Sequence, residues 1–422
     1  MEQLSRPKGT QDILPEEQAY WEHVMATMTE LARQYGFERI DIPIFEETSL
    51  FARGVGEATD IVEKEMYSFR DKGERELTLR PEFTAGVVRA YIENGLRVLP
   101  KPVKLYSMGP AFRYEQPQTG RYRQFHQFNA EIFGVENSLA DLEIMLLAWD
   151  IYDALDFRNL SFQVNSTGCP ECRPDYVQSL VAYYHAHEDQ ICEDCKRRLA
   201  TNPLRVLDCK EQQCRPIIES APKITEHLCE ECREHFETLL GYLDSLEKPY
   251  VINSRLVRGL DYYSKTVFEV WAEGIGAQSA VCGGGRYDGL MELLGGPDTP
   301  AVGFAAGLER AILVMQHQKV EPPALPIPPV YLTYLGERTR ARAVELLVRI
   351  REAGIGAQIA LKGSLRSQLR HADKRNARYV LILGEDELAR GEVTIKEMTQ
   401  EGRQQQAVPL EEIVSWLQER LN

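Results

Sequence analysis

Between Glu321 and Val330 the sequence reads EPPALPIPPV, five prolines in ten residues. Each proline fixes φ and removes a backbone donor, so neither a helix nor a sheet runs through this stretch. The chain must therefore divide here into two bodies joined by a stiff connector at 321–329. The two sides differ in charge. The 422 residues carry a formal net charge of −15, yet from Leu325 onward there are 15 Lys and Arg against 13 Asp and Glu. Nearly all the negative charge thus belongs to the longer N-terminal part. Such a chain does not coat nucleic acid by bulk charge, which depends on neutralising many phosphates, but a local basic surface remains open to the C-terminal part.

Beyond the prolines, strand and helix signals alternate. VYLTYL, GAQIAL and YVLILG are short apolar runs, and TRARAVELLVRIREAG and GSLRSQLRHADKRNA have helical spacing. This pattern predicts an α/β domain with a mixed sheet over 330–422. Before the prolines, helical segments at Glu16 to Gln34, Thr84 to Asn94 and Ser138 to Leu155 are separated by stretches alternating apolar and polar residues, as in a half-buried antiparallel sheet. The expected class is α+β: an antiparallel sheet with flanking helices over 1–167 and 247–320, interrupted by a Cys-rich helical insertion at 168–246. No run of about 18 uncharged apolar residues occurs, and MEQLSRPKGTQDILP lacks the order of a signal peptide. A cytoplasmic protein without a membrane segment is expected.

Eight of the nine cysteines lie in the insertion, as Cys169-x₂-Cys172, Cys192-x₂-Cys195, Cys209-x₄-Cys214 and Cys229-x₂-Cys232. Two-residue spacing lets two thiolates reach one tetrahedral zinc, and four pairs could supply two four-cysteine sites. In a reducing compartment metal is favoured over disulfides. Spacing does not say which pairs would share an ion.

The stretch FRYEQPQTGRYRQFHQFNAEIFG, residues 112–134, has Pro and Gly turn signals between two extended arms and predicts a hairpin. By alternation Arg121, Arg123, Gln127, Asn129 and Glu131 share one face, and His126, Phe128, Ala130 and Ile132 the other. A row of guanidinium, amide and carboxylate suits a cleft better than a core. The same parity in LTLRPEFTAG groups Arg80, Glu82 and Thr84 against Leu79, Pro81 and Phe83. A plain solvent-facing sheet would give either pattern alone. LVRGLDYYSKTVFEV adds Arg258, whose fork of donors suits phosphate or carboxylate, beside Tyr262 and Tyr263. SAVCGGGRYDGL offers three glycines past which a ligand could lie close, without the spacing of a phosphate loop. AVGFAAGLERAIL leads a glycine-rich strand into a helix carrying Glu309 and Arg310.

Taken in this order, the segments resemble the histidyl-tRNA synthetase family, a branch of the class II aminoacyl-tRNA synthetases. FERIDIPIFEE is similar to the first class motif, which builds a homodimer interface in the family; the hairpin resembles the second and AVGFAAGLER the third. LVRGLDYY and GGGRYDG are similar to the two histidine-specific signatures. The likeness implies histidine, ATP with Mg²⁺, and tRNA(His) as partners. It implies that Arg113 and Arg310 grip ATP phosphates, with Glu115 near the adenine and Arg121 also on the nucleotide. Arg258 would reach the α-phosphate, making Arg113 and Arg258 the catalytic pair. Glu82, Phe83, Thr84, Gln127, Glu131, Tyr262 and Tyr263 would hold histidine together with those two arginines. Phe83 departs from the smaller residue expected there, and its parity suggests packing. Gln118, Arg121 and Arg123 are candidates for the acceptor end of tRNA. Arg366, Arg370, Lys374 and Arg378, recurring every four positions, form a basic helical stripe four turns long that would meet the anticodon arm. A regulatory relative that keeps the fold but not the chemistry would be expected to lack Arg258 or the C-terminal domain, and this chain has both.

Overall fold

The computed structural model describes residues 4–56, 59–117, 120–260, 262–273, 280–398 and 405–421. Two compact units part within the proline stretch, between Pro323 and Ala324. Among the described residues no helix is long and apolar enough to cross a membrane.

The strands of the first unit are β1 (Glu38–Arg39), β2 (Phe45–Glu47), β3 (Tyr67–Arg70), β4 (Glu76–Leu79), β5 (Val103–Phe112), β6 (Gln124–Phe133), β7 (Ser161–Ser166), β8 (Tyr250–Ile252), β9 (Ser264–Trp271), β10 (Ala280–Arg286) and β11 (Ala301–Gly307). Eight of them make one sheet in the order β1-β5-β6-β11-β10-β9-β7-β8, and β2-β4-β3 make a small second one. In the large sheet only the edge pairs β1–β5 and β7–β8 are parallel. Phe128, Ala130 and Ile132 of β6 enter the main core with Phe304 and Phe268, beneath helices Gln18–Gln34, Ser138–Ala154 and Leu308–Gln318. The opposite face is carved out by small residues. Glu131, Asn129 and Gln127 of β6 lie across from Gly303, Ala305 and Gly307 of β11, and Ala305 and Gly303 lie across from Gly283 and Gly285 of β10. Polar side chains therefore border a floor of glycine and alanine, and a long cleft results. The floor tolerates nothing larger at Gly303, where a Cβ would stand 1.6 Å from Glu131 Oε2 and 2.6 Å from the Ala130 carbonyl.

Around Glu82 the structure departs from simple alternation. Strand β4 ends at Leu79, and Arg80 to Phe83 turn the chain into helix Thr84–Glu93. Glu82 and Thr84 meet for a different reason: the Glu82 carboxylate accepts from the Thr84 and Ala85 amides at 2.6 and 2.9 Å. It satisfies donors that the first helical turn leaves open. Arg80 is buried and donates to the Pro110 and Ile42 carbonyls, each at 2.8 Å. Its guanidinium lies 4.0 Å from the centre of the Phe83 ring, so Arg80 serves the fold and Phe83 packs in a core.

Inside the insertion, helices Arg173–Ala186, Glu193–Thr201 and Arg215–Glu219 enclose a small core that includes Tyr176, Leu180, Tyr184 and Ile218. Its last helix, Glu230–Ser245, instead sends Phe236, Leu239 and Leu243 into the main core. Residues 168–246 are thus not one free-standing body.

In the second unit β12 (Val330–Tyr334), β13 (Ala357–Ile359), β14 (Tyr379–Leu383), β15 (Glu392–Glu397) and β16 (Gln405–Pro409) form a mixed sheet in the order β13-β12-β14-β15-β16. The basic stripe is shorter than its spacing suggests. Helix Leu365–Lys374 carries exposed Arg366, Arg370 and Lys374, but Asn376 takes a left-handed φ of 53° and stops it. Such a residue just past the last turn is a common helix terminator. Arg378 lies off the helix, with its guanidinium 5.2 Å from the Tyr379 ring.

Candidate active site

Two cavities open from the cleft. The inner one, about 130 Å³, is bordered by Glu82, Thr84, Gln127, Tyr262, Tyr263 and Tyr287. Glu131 lies beneath its wall, accepting from the Thr84 hydroxyl at 2.8 Å and from the Tyr287 hydroxyl. Burial, despite those two donors, pushes the Glu131 carboxyl up to about 8, and the neighbouring Glu82 charge adds to the rise. Burial likewise raises Glu82. The rings of Tyr262 and Tyr287 meet edge to face with centroids 5.5 Å apart, and Tyr263 lies 4.7 Å from Tyr262. Gln127 Oε1, Asn129 Oδ1 and Arg258 Nε are buried without a hydrogen-bond partner among the described residues. Buried polar atoms are nearly always paired, so three unmet groups around one small cavity mark where a polar ligand belongs.

The outer cavity, about 230 Å³, is bordered by Glu115, Arg121, Glu269, Glu309 and Arg310 among others. Arg113, Gln127, Arg258, Gly283 and Ala305 border both cavities. Arg113 is aimed by a bond from its Nε to the Pro81 carbonyl at 2.9 Å, and Arg258 by Glu269 Oε1 at 2.8 Å. Arg258 lies flat over the glycine floor: a Cβ on Gly283 would come within 2.4 Å of its guanidinium. Arg310 donates to the Ala280 carbonyl at 2.7 Å. Its own burial first, and the Arg121 charge second, hold it below the usual arginine range. Guanidinium groups brought together against their repulsion suit a polyanion. Glu309 is buried and accepts from the His126 amide and ring, each at 2.9 Å, pinning the start of β6 to helix Leu308–Gln318.

Of the hairpin arginines only Arg113 and Arg121 reach these cavities, with Arg121 ion-paired to Glu115 at 3.1 Å. Arg123 stacks 3.8 Å over Tyr114 and bonds the Glu115 carbonyl, because β6 begins only at Gln124 and strand alternation does not extend back to it. Gln118 lies outside the described residues. Phe83 does not border either cavity. Sequence reasoning missed Tyr287, Asn129 and Glu269 as site residues. Asn129 was legible from the parity that found Gln127 and Glu131, whereas Tyr287 carried no signal beyond its place after the glycines. Arg286, which looks equally suited to an anion, is fully buried against Asp141 at 3.1 Å and serves the fold.

The cysteines gather as two groups of four, Cys169, Cys172, Cys229 and Cys232, and Cys192, Cys195, Cys209 and Cys214, with all sulfurs of a group within 4.8 Å of one another. Distances of 3.7 Å for Cys169–Cys172 and Cys169–Cys229, and 3.8 Å for Cys192–Cys209, match the edge of about 3.8 Å that a tetrahedral zinc with bonds of about 2.3 Å requires.

Residues 9–311 match the family described as histidyl-tRNA synthetase, and residues 329–420 match the anticodon binding domain family. Over 417 residues, 99% of each chain, the sequence is 49% identical to the histidine–tRNA ligase of Desulforamulus reducens. It is 47% identical over 416 residues to that of Dehalococcoides mccartyi, covering 98% of this chain and 99% of the relative. The crystal structure of apo S. aureus histidyl-tRNA synthetase superposes with a TM-score of 0.83 at 36% identity, covering 98% of this chain and 99% of that one. The signatures carried by the two-cavity cleft and the match along almost the whole length agree, and the chain belongs to the histidyl-tRNA synthetase family.

Proposed function

We propose that the chain activates L-histidine with ATP and then transfers it to the 3′ end of tRNA(His), with the amino acid in the inner cavity and the nucleotide in the outer one. The junction carries this reading: Arg113 and Arg258 stand where the two cavities meet. A carboxylate leaving the inner cavity would meet an α-phosphate there, between two guanidinium groups. Its oxygen attacks the α-phosphorus, the bond to the bridging oxygen breaks, and pyrophosphate leaves. Negative charge grows on the α-phosphate oxygens, and cations already fixed in place stabilise that state more than the ground state. A hydroxyl of the terminal adenosine then attacks the acyl carbon and AMP departs.

Thr84, Glu131, Tyr262, Tyr263 and Tyr287 frame the imidazole, Glu82 and Gln127 the rest of the amino acid, and Phe83 supports the turn from its core. A ligand that left the buried polar atoms unpaired would be rejected by about 10⁴ to 10⁵, enough without editing. Arg310 and Arg121 take the outer phosphates and Glu115 the adenine. Mg²⁺ fits this site, since it takes one or two carboxylates plus phosphate oxygens, and the Glu269 carboxylate borders the cavity. When bound it neutralises phosphate charge.

Arg123 and Gln118 are placed toward the tRNA acceptor end, and Arg366, Arg370, Lys374 and Arg378 toward the anticodon arm. The exposed apolar residues Ile44, Phe45 and Phe69 favour a homodimer built on the first class motif. The protein acts in the cytoplasm, where reduced thiolates of the two four-cysteine groups each bind a structural zinc. Arg258→Ala tests the assignment: histidine still binds by calorimetry while histidine-dependent exchange of pyrophosphate into ATP falls about 10³-fold. Exchange at the native rate refutes the role.

A further inference from the structure

The two cysteine groups are nested in the sequence. The inner group, residues 192–214, closes on itself within the distal lobe of the insertion, whereas the outer one joins residues 169 and 172, just after β7, to residues 229 and 232 at the start of helix Glu230–Ser245. The outer group therefore clamps the two chain segments by which the insertion leaves and rejoins the sheet. Its fit is close: Gly168 has a left-handed φ of 65°, and a Cβ there would lie 2.9 Å from Cys172 Sγ.

What the clamp touches next is the wall of the amino-acid cavity. Arg173, one residue past Cys172, donates to the Thr167 carbonyl at 2.8 Å and to the Tyr263 carbonyl. The Thr167 amide donates to the Lys265 carbonyl at 2.7 Å, and the Lys265 amide to the Gly168 carbonyl at 2.8 Å. Glu231, between Cys229 and Cys232, holds the Lys265 ammonium at 2.7 Å. Lys265 has an unfavourable φ of 49°, so its neighbours must hold it there. Tyr263 is gripped from behind by these residues, while its ring faces Tyr262 and the Arg258 guanidinium, 5.8 Å away. By contrast the distal lobe meets the body through side chains: Arg205 pairs with the half-exposed Asp60 at 2.7 Å, a kind of contact that contributes little, and Leu204 and Arg205 border a cavity they share with Arg258 and Tyr263.

Resting on the zinc reading above, we propose that the two centres have unequal roles: zinc on Cys169, Cys172, Cys229 and Cys232 positions Tyr263 of the histidine cavity through Arg173, whereas zinc on Cys192, Cys195, Cys209 and Cys214 only folds the distal lobe. Arg173 is a positioning residue: it holds the Tyr263 backbone carbonyl and borders neither of the two cavities. Losing its grip weakens histidine binding and leaves ATP binding alone.

The test uses the full chain purified under reducing conditions, with zinc counted by elemental analysis and KM for histidine and for ATP measured by pyrophosphate exchange. Two zincs are expected in the native protein and one in each of C229S/C232S and C209S/C214S. Histidine KM rises about tenfold in the outer variant, the scale of one lost buried hydrogen bond, with ATP KM within about twofold. In the inner variant both constants stay within about twofold. Arg173→Met keeps both zincs and reproduces the histidine-specific rise, and it decides the matter if the outer cysteine variant does not fold. Less than half an equivalent of zinc in the native protein refutes the zinc reading itself. Two zincs together with an unchanged histidine KM in Arg173→Met, or equal effects of the inner and outer variants, overturn the unequal roles while leaving the zinc reading standing.

Discussion

Gly283 offers a way to move one catalytic cation without touching its chemistry. It lies on the cleft face of β10, across from Ala305 on one side and Glu269 on the other. An alanine Cβ there would come within 2.4 and 2.6 Å of the two terminal nitrogens of Arg258. Ordinary carbon contacts begin near 3.5 Å, so the guanidinium must retreat by about 1 Å. That retreat takes it out of register with its 2.8 Å bond to Glu269 and away from the α-phosphate. A catalytic group displaced by about 1 Å can cost about 10²-fold in rate, equivalent to about 3 kcal/mol at the transition state. Gly283→Ala should therefore lower kcat for histidine-dependent pyrophosphate exchange about 100-fold. The fold should barely notice, because the obstructed group is the free end of a long side chain. A double-mutant cycle makes the reasoning exacting: once Arg258 is replaced by alanine, the added methyl has nothing to displace, and R258A/G283A should match R258A alone. Exchange by Gly283→Ala within about threefold of native, or full additivity of the two losses, refutes the argument.

Further outcomes follow from other parts of the molecule. The Glu131 carboxyl is held up to about 8, above its unfolded value, so the stability it contributes is fully present below about pH 4.5 and is lost as pH rises through 8. Thermal unfolding of Glu131→Gln should accordingly show a Tm advantage over the native protein that grows from pH 5 to pH 8 and then levels off; a constant difference contradicts the shift. Replacing Arg370 and Lys374 together with Glu should raise KM for tRNA about tenfold, flatten its salt dependence and spare adenylate formation, as aminoacylation and exchange assays would show. Phe45→Glu with Phe69→Glu, introduced on the exposed apolar patch, should convert a dimer to monomers in sedimentation equilibrium.

Where a single element carries the periodicity, the sequence was readable. On β6, alternation separated Gln127, Asn129 and Glu131 from Phe128 and Ala130, and the first set faces the cleft while the second fills the core. Alternation failed one residue outside its element. Arg123 precedes β6 and stacks on Tyr114, and the run from Arg80 to Thr84 is a turn into a helix, where Glu82 finds Thr84 by capping. Arg378 lies beyond its helix because Asn376 turned left-handed first. What stayed hidden depends on distant partners. The pairing of the cysteines joins residues sixty positions apart, and the burial of Arg286 depends on Asp141. No local pattern announces either, since both are set by how the sheet brings remote segments together.

Pyrophosphate exchange measured in turn with each of the twenty amino acids shows whether the two cavities join histidine, and histidine alone, to an α-phosphate. Exchange with histidine alone, at least 10⁴-fold above every other amino acid by the selectivity expected of polar groups shaped to one side chain, is the predicted result. No exchange with any of them, or comparable exchange with a second amino acid, contradicts it.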